Sequence, residues 1–224
     1  MKFLLMDTCG AEGSVALADT ERGDAVIASE TLPGRSASER LLPVVKQMLG
    51  GAGWKLRKLA AIVVVHGPGS FTGVRVGLSA AKGLSEAGGI PLIAVSRLTV
   101  LAAAAGRGDG EVCSVLDAGR GEFYCGVYAG RRCVREALLT GEQVVAAAVG
   151  AAAVVACEAK VAEALAELKP LVVREPMAGD ALSFAIERAE AREFDDVAAL
   201  DANYLRRTDA EIFAKPAKVA GTAR

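Results

Sequence analysis

The chain has a single histidine, His66, and five cysteines, at positions 9, 113, 125, 133 and 157, with no Cys-x-x-Cys pair among them. One histidine cannot supply the His-x-x-x-His pair of a metallopeptidase or the base of a His-dependent triad, so both chemistries are excluded. An odd, scattered set of thiols beside apolar residues predicts reduced core cysteines and a cytoplasmic setting. No uncharged apolar run reaches membrane-spanning length. The opening Met1-Lys2-Phe3-Leu4-Leu5-Met6 meets Asp7 before the apolar stretch of a secretory leader can form. The net charge of −1 offers no global attraction to nucleic acid. Arg131-Arg132 with Arg135, and Arg206-Arg207, are candidate phosphate contacts, although short basic clusters are usually solvated surface.

Three nucleotide and nucleophile motifs are missing as well. No lysine follows Gly73 as a Walker A loop requires. The spacing Gly67-x-Gly69-x-x-x-Gly73 is not the dinucleotide fingerprint. Ser70 lacks the flanking glycines of a Gly-x-Ser-x-Gly elbow.

What the chain does have is apolar: 52% hydrophobic residues and a mean hydropathy of +0.34, enough for a sizeable core in one large domain or two small ones. Its centre of organisation is the stretch His66-Gly67-Pro68-Gly69-Ser70-Phe71-Thr72-Gly73-Val74-Arg75-Val76-Gly77. The β-branched run over residues 59–65 before it predicts a strand buried on both faces, and the pattern behind it a helix to about residue 86. The glycines then lie at a strand-to-helix turn, capped by Ser70 or Thr72. Gly73, Gly77 and Ala81 recur every fourth residue, flanked by Ser70 and Ser85, and form one flat helical stripe. Interior glycines each cost a helix about 1 kcal/mol relative to alanine, so a backbone must approach this stripe closely. That backbone belongs either to the chain's own sheet or to another chain.

Strands over residues 3–6, 14–18 and 25–30 predict an antiparallel meander. Ser36-x-x-Glu39 is a capping box opening a helix that Pro43 should kink or restart and Gly50-Gly51-Ala52-Gly53 should stop. After the Gly-rich residues 106–110 the pattern begins again: an apolar strand ends at Asp117 as the first ends at Asp7, and two more strands and a helix-rich segment follow. Two α/β halves are therefore expected, over 1–105 and 106–207, with the segment of about 208–224 packed back on the first half and the tail Pro216–Arg224, which has no apolar pattern, without fixed structure. Such halves suit a nucleotide between two Asp-tipped hairpins, with Asp7, Thr8, Gly67, Gly69 and Asp117 as cleft residues. The bland alternative is that each Asp braces its own turn. Arg120 and Glu122 crowd the second hairpin, which leaves the nucleotide site degenerate.

The stretches MDTCGAEGSVAL, RSASERLLPVV, GPGSFTGVRVGLSAAKGL with IPLIAVSRL, DAGRGEFYCGVY and ANYLRR resemble the TsaB (YeaZ) family of tRNA threonylcarbamoyladenosine biosynthesis. The resemblance implies an α/β, actin-like (ASKHA) fold of two RNase H-like halves. It implies a pseudo-enzyme subunit that docks the catalytic subunit TsaD, which transfers threonylcarbamoyl to adenosine 37 of tRNA, with the TsaE ATPase joining the assembly. It implies a homodimer when alone, contact with tRNA only through the complex, and no intrinsic cofactor, ATP or ADP with Mg²⁺ entering only in the assembly. The docking helices would span residues 38–49 and 70–84, with Ser38, Glu39, Leu41, Leu42, Val45, Leu49, Ser70, Phe71, Val74, Arg75, Gly77, Leu78 and Ala81 as candidate contacts. Core packing is the alternative for each, and about half should face their own sheet. Family members often carry His where this chain has Ala37, and any polar contact from that His is lost here. His66 reads as a turn residue. The competing functional reading is an autonomous actin-like ATPase or small-molecule kinase, which needs a Gly-Gly pair that does not occur after Val112.

Overall fold

Strand β1 (Lys2–Asp7) carries apolar side chains on both sides: Leu4 and Met6 enter one core layer, Phe3 and Leu5 the opposite one. A strand covered on both faces needs no polar alternation, which is why the run reads as uniformly apolar. The computed structural model describes residues 1–23, 25–106 and 110–205. β1 pairs antiparallel with β2 (Gly13–Asp19), which pairs with β3 (Ala25–Leu32). On its other side β1 runs parallel to β4 (Ala61–Val65), followed by β5 (Leu92–Val95), giving the order β3-β2-β1-β4-β5. A second sheet contains β6 (Glu111–Gly119), β7 (Glu122–Ala129), β8 (Arg132–Thr140), β9 (Ala153–Ala156) and β10 (Leu171–Val172). Its order, β10-β9-β6-β7-β8, is the first sheet's order read from the opposite edge. The repeated halves expected from the sequence are present as repeated topology.

Helices α1 (Ala37–Gly51) and α2 (Phe71–Gly88) cover one face of the first sheet, with Leu41, Val45, Met48, Leu78 and Ala81 in the shared layer. α3 (Arg97–Ala103) leaves the first sheet and packs on β6 and β7, where Leu98 and Leu101 join Leu116, Tyr128 and Val155. α4 (Gly141–Ala147) and α5 (Ala159–Ala164) cover the outer face of the second sheet. α6 (Leu182–Glu190), with the helical turn before it, crosses back onto the first sheet. There Ala178, Ala181 and Ala185 sit over Ala16, Ala18 and Ala61, small residues meeting small residues so that helix and sheet approach closely. Residues 178–202, within the range expected for the second half, thus pack on the first sheet. The expected tail 208–224, Arg206 and Arg207 lie outside the described residues.

Several local expectations change. Ser36 takes helical dihedrals, so its hydroxyl cannot reach the helix's first N–H groups and donates instead to Pro33 O at 2.7 Å; the capping box does not form. Pro43 neither restarts nor ends α1, because it lies on the exposed face, where the carbonyl it leaves unpaired can be hydrated. α1 does end within the expected stop Gly50-Gly51-Ala52-Gly53: its last residue is Gly51, Gly53 turns into the left-handed region at φ 68°, and Trp54 N–H closes on Leu49 O at 2.8 Å. In the helix-rich segment α5 ends at Ala164 and gives way to a 3-10 turn over Ala166–Leu168.

The glycine stripe has its neighbour, and it is the chain's own first turn. A Cβ on Gly73 would stand 1.9 Å from Thr8 O, one on Gly77 2.4 Å from Thr8 Oγ1, and one on Gly69 2.3 Å from Cys9 O. Thr8 Oγ1 donates to Gly73 O at 2.6 Å, and Ser70 N–H to Cys9 O at 2.8 Å. Of the two proposed caps, it is Ser70 that accepts from Gly73 N–H, at 3.3 Å. Gly83, in the same helix, faces open space. Gly73→Ala should therefore cost about 3 kcal/mol through backbone displacement, whereas Gly83→Ala should stabilise by about 0.5–1 kcal/mol. Urea unfolding of the two variants checks this; equal effects would contradict the close approach.

Candidate functional site

The candidate docking residues divide by helix face. Leu41, Val45, Leu49, Val74, Gly77, Leu78 and Ala81 are buried in the protein's own core, so they are corrected from contact residues to packing residues. The reason is geometric, since a helix lying on a sheet buries one stripe. A side chain introduced at Gly77 would meet Thr8, not a partner. Ser38, Glu39, Leu42, Ser70, Phe71 and Arg75 remain on the surface. Leu42 is 52% exposed and Phe71 56%, high values for large apolar side chains. Phe71, Ser70, Ser38 and Ala37 line a groove of about 550 Å³ that runs to Gly10 and Ala11 at the β1–β2 turn. Leu42 lies one helical turn beyond Ser38 on the same face of α1.

Beside the groove, the Arg75 guanidinium lies 3.6 Å from the Phe71 ring centroid, and its Nε–H donates to Tyr204 Oη at 2.7 Å. Tyr204 arrives on a segment tied to both halves. Asn203 N–H donates to His66 O at 2.9 Å, and Asn203 Nδ2 donates to Glu136 Oε2 on β8 at 2.6 Å. His66 is half-buried, with Nδ1 3.2 Å from Asp201 O, as suits a turn residue. The ANYLRR motif thus delivers an aromatic ring to the α2 surface. Reading residues for periodicity could not find this, because residues 201–205 are irregular backbone.

The nucleotide-cleft candidates Asp7, Thr8, Gly67 and Gly69 do converge at the ends of β1 and β4. Thr8 sits under Gly73, Cys9 under Gly69, and Gly67 O accepts from Arg97 N–H at 2.7 Å. Two residues that the sequence reading did not single out dominate the chemistry here. Arg97 is buried and its Nη2 donates to Glu175 Oε1 at 2.5 Å. The same Glu175 oxygen accepts from Ala11 N–H at 3.0 Å. Asp7 Oδ1 accepts from Cys9 N–H at 2.8 Å, while Asp7 Oδ2 and Arg97 Nε are buried without a hydrogen-bond partner among the described residues. Burial pushes the Asp7 carboxyl above the usual range, and Arg97 nearby pulls it back. Burial works hardest against the charge on Arg97, but Asp7 together with Cys9, Cys157 and Glu175 outweighs it and holds the guanidinium above its ordinary value.

The second hairpin is equally occupied. Asp117 Oδ2 accepts from Lys160 Nζ at 2.5 Å, Asp117 Oδ1 from Gly119 N–H at 3.1 Å, and Asp117 N–H donates to Glu158 at 2.7 Å. The bracing role therefore describes Asp117. With one hairpin tip on a carboxylate and the other Asp on a lysine, the residues present do not fit a Mg²⁺-nucleotide. Among the described residues no cluster of His, Cys, Asp and Glu could hold a metal ion, and no helix is long and apolar enough to cross a membrane.

Because the folded-state value of Asp7 lies above its unfolded one, its favourable contribution exists at low pH and is lost as pH rises through the raised value. Arg97 limits that loss. Arg97→Met should accordingly cost about 3–5 kcal/mol at pH 7, where it strands the Asp7 charge, and clearly less at pH 4. Urea unfolding at the two pH values tests this, and equal losses would contradict it.

A family model described as TsaD: tRNA N6-adenosine threonylcarbamoyltransferase matches residues 30–199. The tRNA threonylcarbamoyladenosine biosynthesis protein TsaB of Bacillus subtilis (strain 168) is 36% identical over 148 residues, 66% of this chain and 63% of that one. TsaB of Escherichia coli (strain K12) is 38% identical over 130 residues, 57% of this chain and 55% of that one. The chain thus spans less than two thirds of the length of these relatives. A solved Pseudomonas aeruginosa structure, described as an uncharacterized protein with similarity to peptidase YEAZ, superposes with a TM-score of 0.76 at 31% identity, covering 92% of this chain and 99% of that one. YeaZ from Pseudomonas aeruginosa gives 0.71 at 29% identity, covering 89% and 98%. The activator of the 2-hydroxyisocaproyl-CoA dehydratase from Clostridium difficile, solved with bound ADPNP, shares the fold alone, with a TM-score of 0.51 at 11% identity over 86% of this chain and 97% of that one. The twin sheets and these neighbours make the fold actin-like, built of two RNase H-like halves, and the chain belongs to the TsaB (YeaZ) family.

Proposed function

We propose that this chain is a non-catalytic subunit in the synthesis of threonylcarbamoyladenosine at adenosine 37 of tRNA, docking a TsaD-type catalytic subunit through the exposed face of α1 and α2. The observation that carries the reading is the pair Leu42 and Phe71. Both are left in water by helices whose other large apolar residues are buried or half-buried, and the Arg75–Tyr204 pair stands beside them. Aromatic and arginine residues around an apolar centre are the composition of an interface hot spot. The names of the TsaB relatives and of the matching family model support the pathway. In this reading the same face pairs two copies when the partner is absent, and a TsaE-type ATPase joins the assembly. ATP or ADP with Mg²⁺ and the tRNA are then held by the complex in the cytoplasm and not by this chain alone. The occupied cleft weighs against an autonomous ATPase or kinase.

Leu42→Glu and Phe71→Ala should each weaken binding of the TsaD-type subunit at least tenfold, while leaving thermal unfolding almost unchanged because both side chains are exposed. Calorimetric titration of the two subunits, with unfolding curves for each variant, is the test. Unchanged affinity in both variants would sink the docking face.

A further inference from the structure

The tip of the β1–β2 turn is built around an anion that the chain itself provides. Ala11 N–H and Arg97 Nη2 converge on one oxygen, Glu175 Oε1, at 3.0 and 2.5 Å. Gly10 lies against the pair so closely that a Cβ there would stand 2.2 Å from Glu175 Oε1 and 2.7 Å from Arg97 Nη2, so a side chain there would have to displace the ion pair. Arg97 is under-used by this ligand. A guanidinium matches an anion through two parallel N–H bonds, yet Arg97 Nε is buried and without a partner among the described residues. Glu175 itself is not locked away, since its side chain is 40% exposed. Gly10 and Ala11 also line the groove of about 550 Å³, a volume suited to a small-molecule ligand.

We propose that Ala11 N–H and the Arg97 guanidinium form an anion site of the phosphoanhydride-binding kind whose resident ligand is the carboxylate of Glu175, so that the chain closes its own nucleotide cleft from within. With Glu175 in place, an incoming pyrophosphate meets two carboxylates, Asp7 and Glu175, against the single charge of Arg97, and finds the convergent donors taken. Without the Glu175 charge, one donor pair is vacated and the balance becomes one carboxylate against one guanidinium. The inference does not depend on the docking reading, because Glu175 is not among the residues of the α1–α2 face.

Inorganic pyrophosphate with Mg²⁺, titrated calorimetrically into the full chain, is the probe. The wild type should bind it at least tenfold more weakly than Glu175→Ala and Glu175→Met, the second variant keeping much of the side chain's volume without an acceptor oxygen should the first not fold. The Ala11 amide resonance should move with pyrophosphate in the variants and stay fixed in the wild type. A folded variant that binds no better than the wild type would overturn the proposal, as would a wild-type Ala11 amide that shifts with pyrophosphate. Affinity of the same variants for the TsaD-type subunit should be unchanged, so failure of the docking reading and failure of the anion site give different results.

Discussion

Thr8 and Cys9 lie against a helix that carries no side chain where they touch it. Two glycines inside α2 would by themselves weaken it by about 1 kcal/mol each. The contact offsets this by letting Thr8 Oγ1 reach Gly73 O and by seating Val74, Leu78 and Ala81 in the core. Much else follows from that approach. It fixes the start of α2, against which α1 packs, and so sets which side chains of the pair are left facing water. It also holds the end of β1, and with it the turn whose Ala11 N–H meets Glu175.

The two halves are held together by exchange. α3 belongs in sequence to the first half and lies on the second sheet, while α6 follows the second sheet in sequence and lies on the first. The segment after α6 adds a strap, with Asn203 bonded to His66 on one side and Glu136 on the other. Arg188 pairs with Asp195 at 3.1 Å and donates to Ala94 O at 2.9 Å, fastening the strap's beginning to β5. Opening the cleft would strip apolar surface from Leu98 and Leu101 and break these bonds together. A rigid body of this kind suits a surface presented to a partner better than a nucleotide-driven hinge.

The elements most legible in the sequence are those with strong local patterns. The apolar run before Ala61–Val65, the spacing of Gly73, Gly77 and Ala81, and the repeated Asp-ended strands led to the correct sheets and to a close-packed helix. Periodicity could not tell which apolar residues of α1 and α2 face their own sheet, because Leu41 and Leu42 are adjacent and chemically alike, and only the helix's rotation on the sheet separates them. The capping box at Ser36 failed because Ser36 takes helical dihedrals, which carry its hydroxyl away from the N–H groups that open α1. Arg97 and Glu175 were invisible for a different reason. Their partnership spans 78 residues of sequence, and nothing local marks either as buried or paired.

The central claim is that this chain serves threonylcarbamoyl transfer as a subunit without catalysis of its own. The most direct measurement is modification of adenosine 37 in vitro by a TsaD-type subunit and its ATPase, with and without this chain. Modification that depends on the chain, with no ATP hydrolysis by the chain alone, is the predicted result. Full modification in its absence, or ATP turnover by the isolated chain, would contradict the account.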